Sequence, residues 1–339
     1  MRYVLKYFLL ILVFIGSQYK ARTQEFNWTV GYTGVFDNRE YFNPYTDDQT
    51  IFGSRVFGYA GFSLNQNNRF AAGMSYFYEF GSKGEQLNPD IILFYKGKLN
   101  HFLLTMGAFP RYSEISLPFA LLNDTISYYR PNIEGISLEY RNGSFRHNVW
   151  IDWTGRQSFD RKEAFMIGFS GIYTGKWFVY RHHVIMSHIA HTMNRNLDEH
   201  IRDNGGYTIE SGFDLSSYAG LDSLTLTTGI LGSWDRLRGV YEFSFPVGWI
   251  SEAVINYKGL GIHGLYYTGE RQVIVSGDGF YQAGHYGRVD LYYEGNRQGL
   301  SGKVRFSMHF IQDIVDLSMS LVIRAQLDGN ISLGDRVMR

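Results

Sequence analysis

Residues 303–310 read Lys-Val-Arg-Phe-Ser-Met-His-Phe. As an extended strand they put Val304, Phe306, Met308 and Phe310 on one face and Lys303, Arg305, Ser307 and His309 on the other. The two-residue period recurs along the chain. Phe165, Ile167, Phe169 and Tyr173 oppose Ala164, Met166, Gly168 and Ser170. Tyr207, Ile209, Phe213 and Leu215 oppose Thr208, Glu210, Gly212 and Asp214. Val315, Leu317, Met319, Leu321 and Ile323 oppose Asp316, Ser318, Ser320 and Arg324. If hydrocarbon covers the apolar face, a slip of one residue drives charges into it. That costs about 2–4 kcal/mol per basic residue at mid-depth, so the register is well specified. Around 178–188 the pattern is less clean, because His182 and His188 fall on the apolar face.

Turn signals divide these strands. Short breaks stand at 65–68, 96–98, 142–143, 174–176, 217–222, 258–259 and 294–299, and Asn142-Gly143 is the strongest hairpin signal among them. Longer polar connections stand at 37–50, 81–89, 111–132, 155–163, 189–206, 232–239 and 269–284. Short and long connections alternate. That predicts an all-β, transmembrane antiparallel β-barrel, an up-and-down meander of about 16 strands (14–18), with short turns inside and long loops outside. Residues 240–257 contain Pro246 and are too long for one ordinary strand, and the last hairpin, at Gln312-Asp313, is short for an outer loop.

The ends and the composition set the location. Arg2 and Lys6 precede an apolar run at 7–16, which reads as a signal peptide over 1–24 with the barrel at 25–339. An uncleaved anchor is the alternative, but Lys20 and Arg22 come early for a 20-residue span. The expected location is the outer membrane of a Gram-negative bacterium. The chain has no cysteine, which excludes disulfide staples, thiolate metal sites and an acylated N-terminal cysteine. The formal net charge is zero, so nothing in bulk charge points to nucleic acid. The 26 Tyr and 6 Trp suit girdles at the membrane interfaces.

About 16 strands leave a passage that the wall alone does not fill. The strand phases turn Glu139, Arg141, Asp152, Arg181, Glu210, Asp214, Arg288, Asp290, Lys303 and Arg305 inward, a polar set of both signs. Glu79, Arg146, Glu294 and Arg324 share that phase. Opposed charges across a pore tune its selectivity, and the same charges also serve to tie up one another. The connection 111–132, RYSEISLPFALLNDTISYYRPN, is among the longest. Leu117, Phe119, Leu121 and Leu122 are placed to anchor it on an inner wall, with Arg111, Glu114, Asp124 and Arg130 lining a constriction. The alternative is an ordinary outer loop.

In length, signal segment, strand parity and the place of this loop, the chain resembles the general bacterial porins. The resemblance covers most of the mature chain. It implies that loop 111–132 folds inward, that small hydrophilic solutes or glycans diffuse through the lumen, and that outer-membrane lipids surround the wall. Such porins are often trimers, so a homo-oligomer is a further implication, although no interface pattern is legible here. Two features depart from the family. The acidic PEFGGD-like loop motif is absent, and the chain continues past Ala325 to Arg339 with no terminal Phe. The Tyr-, Asn- and Gly-rich character resembles barrels of Bacteroidota-type bacteria.

Enzymatic alternatives rest on little. Residues 181–200 hold five histidines with Ser187, Asp198 and Glu199. His183 and Ser187 share a face but lie about 13 Å apart at the strand rise, too far for a base and its nucleophile. No His-x-Ser of the kind a phospholipase barrel carries occurs here, and His188 and His191 form no recognisable metal motif. Asp152 to Arg156 and Asp235-Arg236 stand at outer strand ends, where they bind a ligand or cap the rim. The reading is therefore a channel with no catalytic residues, no metal and no cofactor. The alternatives are a barrel-embedded hydrolase of phospholipase or protease type, and a surface adhesin or secretion component.

Overall fold

A computed structural model describes residues 25–83, 88–194 and 197–332. The expected signal segment, 1–24, lies outside them, as do residues 333–339. The first half of the chain forms β1 (Glu25–Glu40), β2 (Gln49–Asn65), β3 (Asn68–Glu79), β4 (Asp90–Leu99), β5 (Phe102–Pro110), β6 (Asn132–Asn142), β7 (Phe145–Gly155) and β8 (Ala164–Thr174). The second half forms β9 (Phe178–Ile189), β10 (Arg202–Asp214), β11 (Ser223–Leu237), β12 (Tyr241–Ser244), β13 (Val247–Tyr257), β14 (Leu260–Gly269), β15 (His285–Arg297), β16 (Leu300–Ile311) and β17 (Ile314–Ser332). Two short helices, α1 (Asp124–Tyr129) and α2 (Ser216–Ala219), lie in connections.

Successive strands pair antiparallel, and β1 closes the sheet on β17 from Glu25↔Ser332 to Glu40↔Leu317. The wall is a closed up-and-down barrel of 16 strands. The extra element, β12, bonds only to the outer end of β11, while β13 takes the next place in the wall. Closure leaves no unpaired strand edge, which is what lets a sheet cross hydrocarbon.

Facing follows the two-residue period. Val304, Phe306 and Phe310 are each about two-fifths exposed on the outside, whereas Ser307 is 1% and His309 2% exposed inside. Near the short-turn end, outward rings pair across strands: Phe70 with Tyr95, Phe102 with Tyr140 and Phe145 with Tyr173, at 4.7–5.0 Å between centroids. His182, unplaced by the sequence pattern, joins this girdle 4.9 Å from Phe169 and 5.5 Å from His147.

Several turns sit a few residues from where the sequence suggests. Lys96, Gly97 and Lys98 belong to β4, and the chain reverses after Leu99, where Asn100 takes φ 52°. The break expected at 294–299 narrows to Gln298-Gly299, with φ 48° and 82°. Both tight turns need left-handed residues, which Asn and Gly adopt at least cost. β1 and β11 also run further outward than expected, to Glu40 and Leu237.

Candidate functional site

The connection between β5 and β6 does not stand outside the barrel. It folds into the lumen, with Tyr112 reaching Gln326 beside the short turn at Gly299 and residues 120–122 seated nearer the outer end. Ala120, Leu121 and Leu122 are buried there against inward side chains of the wall: Trp150, Met166, Ile185, Leu231, Ile250 and Leu265. Burying one Leu contributes about 1.5–3 kcal/mol, so this end of the loop is firmly seated. The connection between β14 and β15 enters beside it and adds Phe280 and Tyr281 to the same cluster. The two segments zip together. The Asn123 amide donates to the Ser276 carbonyl at 2.9 Å, the Ser276 hydroxyl donates to the Leu121 carbonyl at 2.7 Å, and the Asp278 amide donates to the Phe119 carbonyl at 2.9 Å. Close approach requires glycine at 277, where a Cβ would stand 2.0 Å from the Ala120 carbonyl oxygen.

α1 closes the other side of the lumen through polar contacts. Arg39 of β1 donates to the Thr125 hydroxyl at 2.8 Å and Arg55 of β2 to the Tyr128 carbonyl at 2.6 Å. The Tyr129 hydroxyl donates to Glu79 of β3 at 2.9 Å. Burial first, and then the Glu79 carboxylate, push the Tyr129 phenol up to about 12, so it remains a donor. Burial likewise pushes Tyr128 well above the usual phenol range and Tyr41, in the β1–β2 connection, up to about 12. Together the inserted segments form a plug that meets the wall by apolar contact on one side and by hydrogen bonds on the other.

The residues singled out on loop 111–132 fall within this plug. Arg111 is 3% exposed and pairs with the fully buried Asp152 of β7. Arg111 also donates to the carbonyls of Arg130 and Asn132 at 3.1 and 3.2 Å. Arg130 donates to the Thr154 carbonyl at 3.0 Å and stands 3.7 Å from Asp152. Glu114 accepts from Lys96 at 2.9 Å, and Asp124 accepts from Arg305 at 2.8 Å. Leu117 and Leu121 join the apolar cluster, whereas Phe119 lies beneath the guanidinium groups of Arg288 and Arg305 at 4.6 and 4.9 Å.

The wall residues also project inward. Glu139 is held between Arg141 and Arg146 at 2.9 and 2.8 Å. Arg181 lies 3.8 Å from Glu210 and 3.7 Å from Glu252. Arg288 donates to Asp290 at 2.7 Å, and Asp290 stands 3.0 Å from His263 Nδ1. Lys303 is 3.1 Å from Glu294. Asp214 accepts from the Ser216 amide at 3.0 Å and fixes the turn into α2.

Beneath the plug lies a cavity of about 1000 Å³. Its roof is the underside of loop 111–132, including Tyr112, Leu117, Phe119 and Tyr128. It reaches the short-turn rim at Asp222, Asn256, Gly259 and Asn296, and no residue of the other long connections lines it. Among the described residues it is therefore a vestibule open toward the short turns and roofed by the plug.

Besides His263, whose partner Asp290 is shared with Arg288, two histidines have partners suited to proton transfer. The Tyr286 hydroxyl is 2.8 Å from His309 Nδ1, and His309 Nε2 is 3.2 Å from the Ser318 hydroxyl. His309 is 2% exposed and stacks on Phe280 of the plug at 4.2 Å, so a substrate has no route to it while the plug is seated. The second is His188, at the outer end of β9 and facing outward. Its Nδ1 is 2.7 Å from Asp203 Oδ1, on the neighbouring β10. Arg238 donates twice to Asp203, at 2.7 and 3.1 Å. The His188 ring stacks on Phe165 at 5.0 Å, and Phe165 stacks on Trp153 at 5.4 Å. His188 Nε2 has no hydrogen-bond partner in the protein among the described residues. Sequence reading placed His188 on the apolar face and did not pick out Asp203. The two are separated by a connection whose register is invisible in the sequence.

Comparison with known proteins adds fold and family. An anion-selective porin from Comamonas acidovorans is 9% identical, with 90% of this chain and 100% of that one covered and a TM-score of 0.53. OprB of Pseudomonas putida is 10% identical, with coverages of 89% and 94% and a TM-score of 0.51. OmpF of Salmonella typhi is 12% identical, with coverages of 89% and 97% and a TM-score of 0.51. These likenesses, with the closed wall, show a β-barrel of porin-like fold. No curated protein matches the sequence. A family model described as lipid A 3'-O-deacylase-type matches residues 18–330. That match spans nearly the whole chain, and the protein belongs to the lipid A 3'-O-deacylase-type family.

Proposed function

We propose that this barrel hydrolyses an acyl ester of an outer-leaflet glycolipid of the lipid A class, at a site on its outer rim centred on His188. The observation that carries the reading is the His188–Asp203 pair, 2.7 Å apart on the lipid-facing surface at the long-loop end. Long loops face outward in barrels of this kind, so the pair stands at the level of the headgroups and ester bonds of that leaflet. Asp203, held by Arg238, fixes the imidazole with Nδ1–H toward the carboxylate and Nε2 free to accept a proton. Water bound at Nε2 gives up its proton as its oxygen adds to the ester carbonyl. The tetrahedral intermediate then expels the sugar oxygen, which takes that proton from His188. Trp153 and Phe165 offer an apolar platform for the acyl chain.

The test is mass spectrometry of lipid A incubated with the purified protein in mixed micelles. The native chain releases fatty acid. His188→Gln loses about 10²–10⁴-fold of that rate, the usual contribution of a positioned base, while retaining the folded, heat-modifiable band. Intact lipid A after incubation with the native protein, or an unchanged rate in His188→Gln, overturns the reading.

A second reading is passive passage of small hydrophilic solutes or glycans through the lumen. The vestibule of about 1000 Å³ with its polar wall favours it. Passage then requires the plug to leave its seat.

A further inference from the structure

We infer that the vestibule holds a binding site for a small saccharide bearing one anionic group, anchored on Arg324. The argument starts from the cations that line the cavity. Arg55 pairs with Asp90 at 2.8 Å, Arg111 with Asp152, Lys303 with Glu294 at 3.1 Å and Arg305 with Asp124 at 2.8 Å. Each is neutralised by a carboxylate that is already in place. Arg324 is the exception among the described lining residues. It is exposed, and no carboxylate contacts it.

Its neighbours complete a receptor for an oxyanion. In the barrel register Arg324 lies between Thr33 of β1 and Ser301 of β16, both of which line the cavity. A guanidinium flanked by two hydroxyls offers the donors that a phosphate or carboxylate accepts. Lys303 is the diagonal neighbour across the β16–β17 pair and keeps its partner Glu294 turned to itself, away from Arg324. Carboxylates line the cavity too, at Asp124, Asp222 and Glu294, but the first and last are occupied by Arg305 and Lys303.

The aromatic groups narrow the ligand class. Arg324 lies over the Tyr112 ring at 5.4 Å, and Lys303 over Tyr292 at 4.3 Å. Tyr112 is 49% exposed, and its ring is steadied by a 3.1 Å hydrogen bond from its hydroxyl to Gln326. A half-exposed phenol ring beside an unpaired cation suits a sugar ring, whose C–H face packs on the aromatic while its anionic substituent reaches the guanidinium. Asn296 supplies a further amide at the mouth. An inorganic anion uses the guanidinium and hydroxyls but leaves the ring uncovered.

The inference deepens the solute reading by naming a ligand class and rests on that reading for its role in passage. Binding is measured without any passage, so failure of one is distinct from failure of the other. The probe is glucose 6-phosphate, titrated calorimetrically into the full chain in detergent, with glucose and inorganic phosphate as companions. Saturable binding of glucose 6-phosphate, with glucose silent and inorganic phosphate at least tenfold weaker, is the expected result. Arg324→Gln weakens it at least tenfold, and Tyr112→Leu weakens glucose 6-phosphate but leaves inorganic phosphate unchanged. If Arg324→Gln does not fold, the double variant Thr33→Val, Ser301→Ala is read in its place with the same expectation. No binding of glucose 6-phosphate, equal binding of inorganic phosphate, or affinity unchanged in these variants overturns the inference.

Discussion

At the scale of single residues, the buried ion pair of Arg111 with Asp152 shows how the plug is fixed to the wall. Asp152 is 0% exposed and Arg111 3%, and the carboxylate also accepts from the Glu134 amide at 3.0 Å. Such a pair gains little over an apolar one, but loss of one partner leaves a buried charge without compensation. Asp152→Ala is expected to destabilise the barrel by about 3–5 kcal/mol, read from the denaturant midpoint of the folded band. The double variant Arg111→Met, Asp152→Leu should recover most of that loss. A small effect of Asp152→Ala would mean that water reaches Arg111. The pair was half legible in the sequence. Asp152 was placed inward by strand phase and Arg111 by its loop, but which acid meets which base depends on where the loop lands. The same holds at the outer rim, where the 190–201 connection hides the pairing of His188 with Asp203.

Among elements, the strands were the most readable, because hydrocarbon on one side and a polar lumen on the other impose a period of two on every crossing. Turns were less so. Lys96-Gly97-Lys98 has turn composition yet stays in β4, since pairing with β5 continues to Leu99↔Phe102. The plug is the element that sequence pattern alone left open, since loop 111–132 reads equally as an inserted or an outer segment. What decides it is apolar content meeting apolar wall: Leu121 and Leu122 face Ile185, Leu231 and Ile250, inward residues at which a porous wall would carry polar groups. α1 depends on one cap. The Asn123 side chain accepts from the Ile126 amide at 3.2 Å and donates to the Gly277 carbonyl at 3.1 Å, so it starts the helix and ties it to the second plug segment. Asn123→Ala should cost about 0.5–2 kcal/mol locally. Hydrogen exchange should then quicken at Ile126, whose amide donates to the Asn123 side chain, and at Arg130, whose amide donates to the Ile126 carbonyl, and leave the wall strands unchanged. Equal acceleration in the strands would show that the plug and wall unfold as one unit.

For the molecule as a whole, the two ends of one closed cylinder face different solvents and carry different chemistry. The outer rim presents aromatics and a His–Asp pair to lipid. The short-turn end presents a polar vestibule, and the plug lies between them. A cylinder of 16 strands is wide enough for an aqueous channel when nothing fills it, so the plug alone separates a closed barrel from a pore. Replacing residues 113–130 by a short Gly-Ser linker removes α1 and the Leu121–Leu122 anchor while keeping every wall strand. The native protein in a planar bilayer should show little or no conductance, and the deletion should give discrete steps of porin-like size. Acyl release at the rim should persist in the deletion, because Trp153, Phe165, His188, Asp203 and Arg238 hold one another through ring stacking and hydrogen bonds made outside the removed segment. Conductance that is the same in both proteins would show that some other segment, or none, seals the lumen. Loss of acyl release together with a gain of conductance would place the chemistry inside the barrel, next to His309 and Ser318, and move the candidate site from the rim to the seat of the plug.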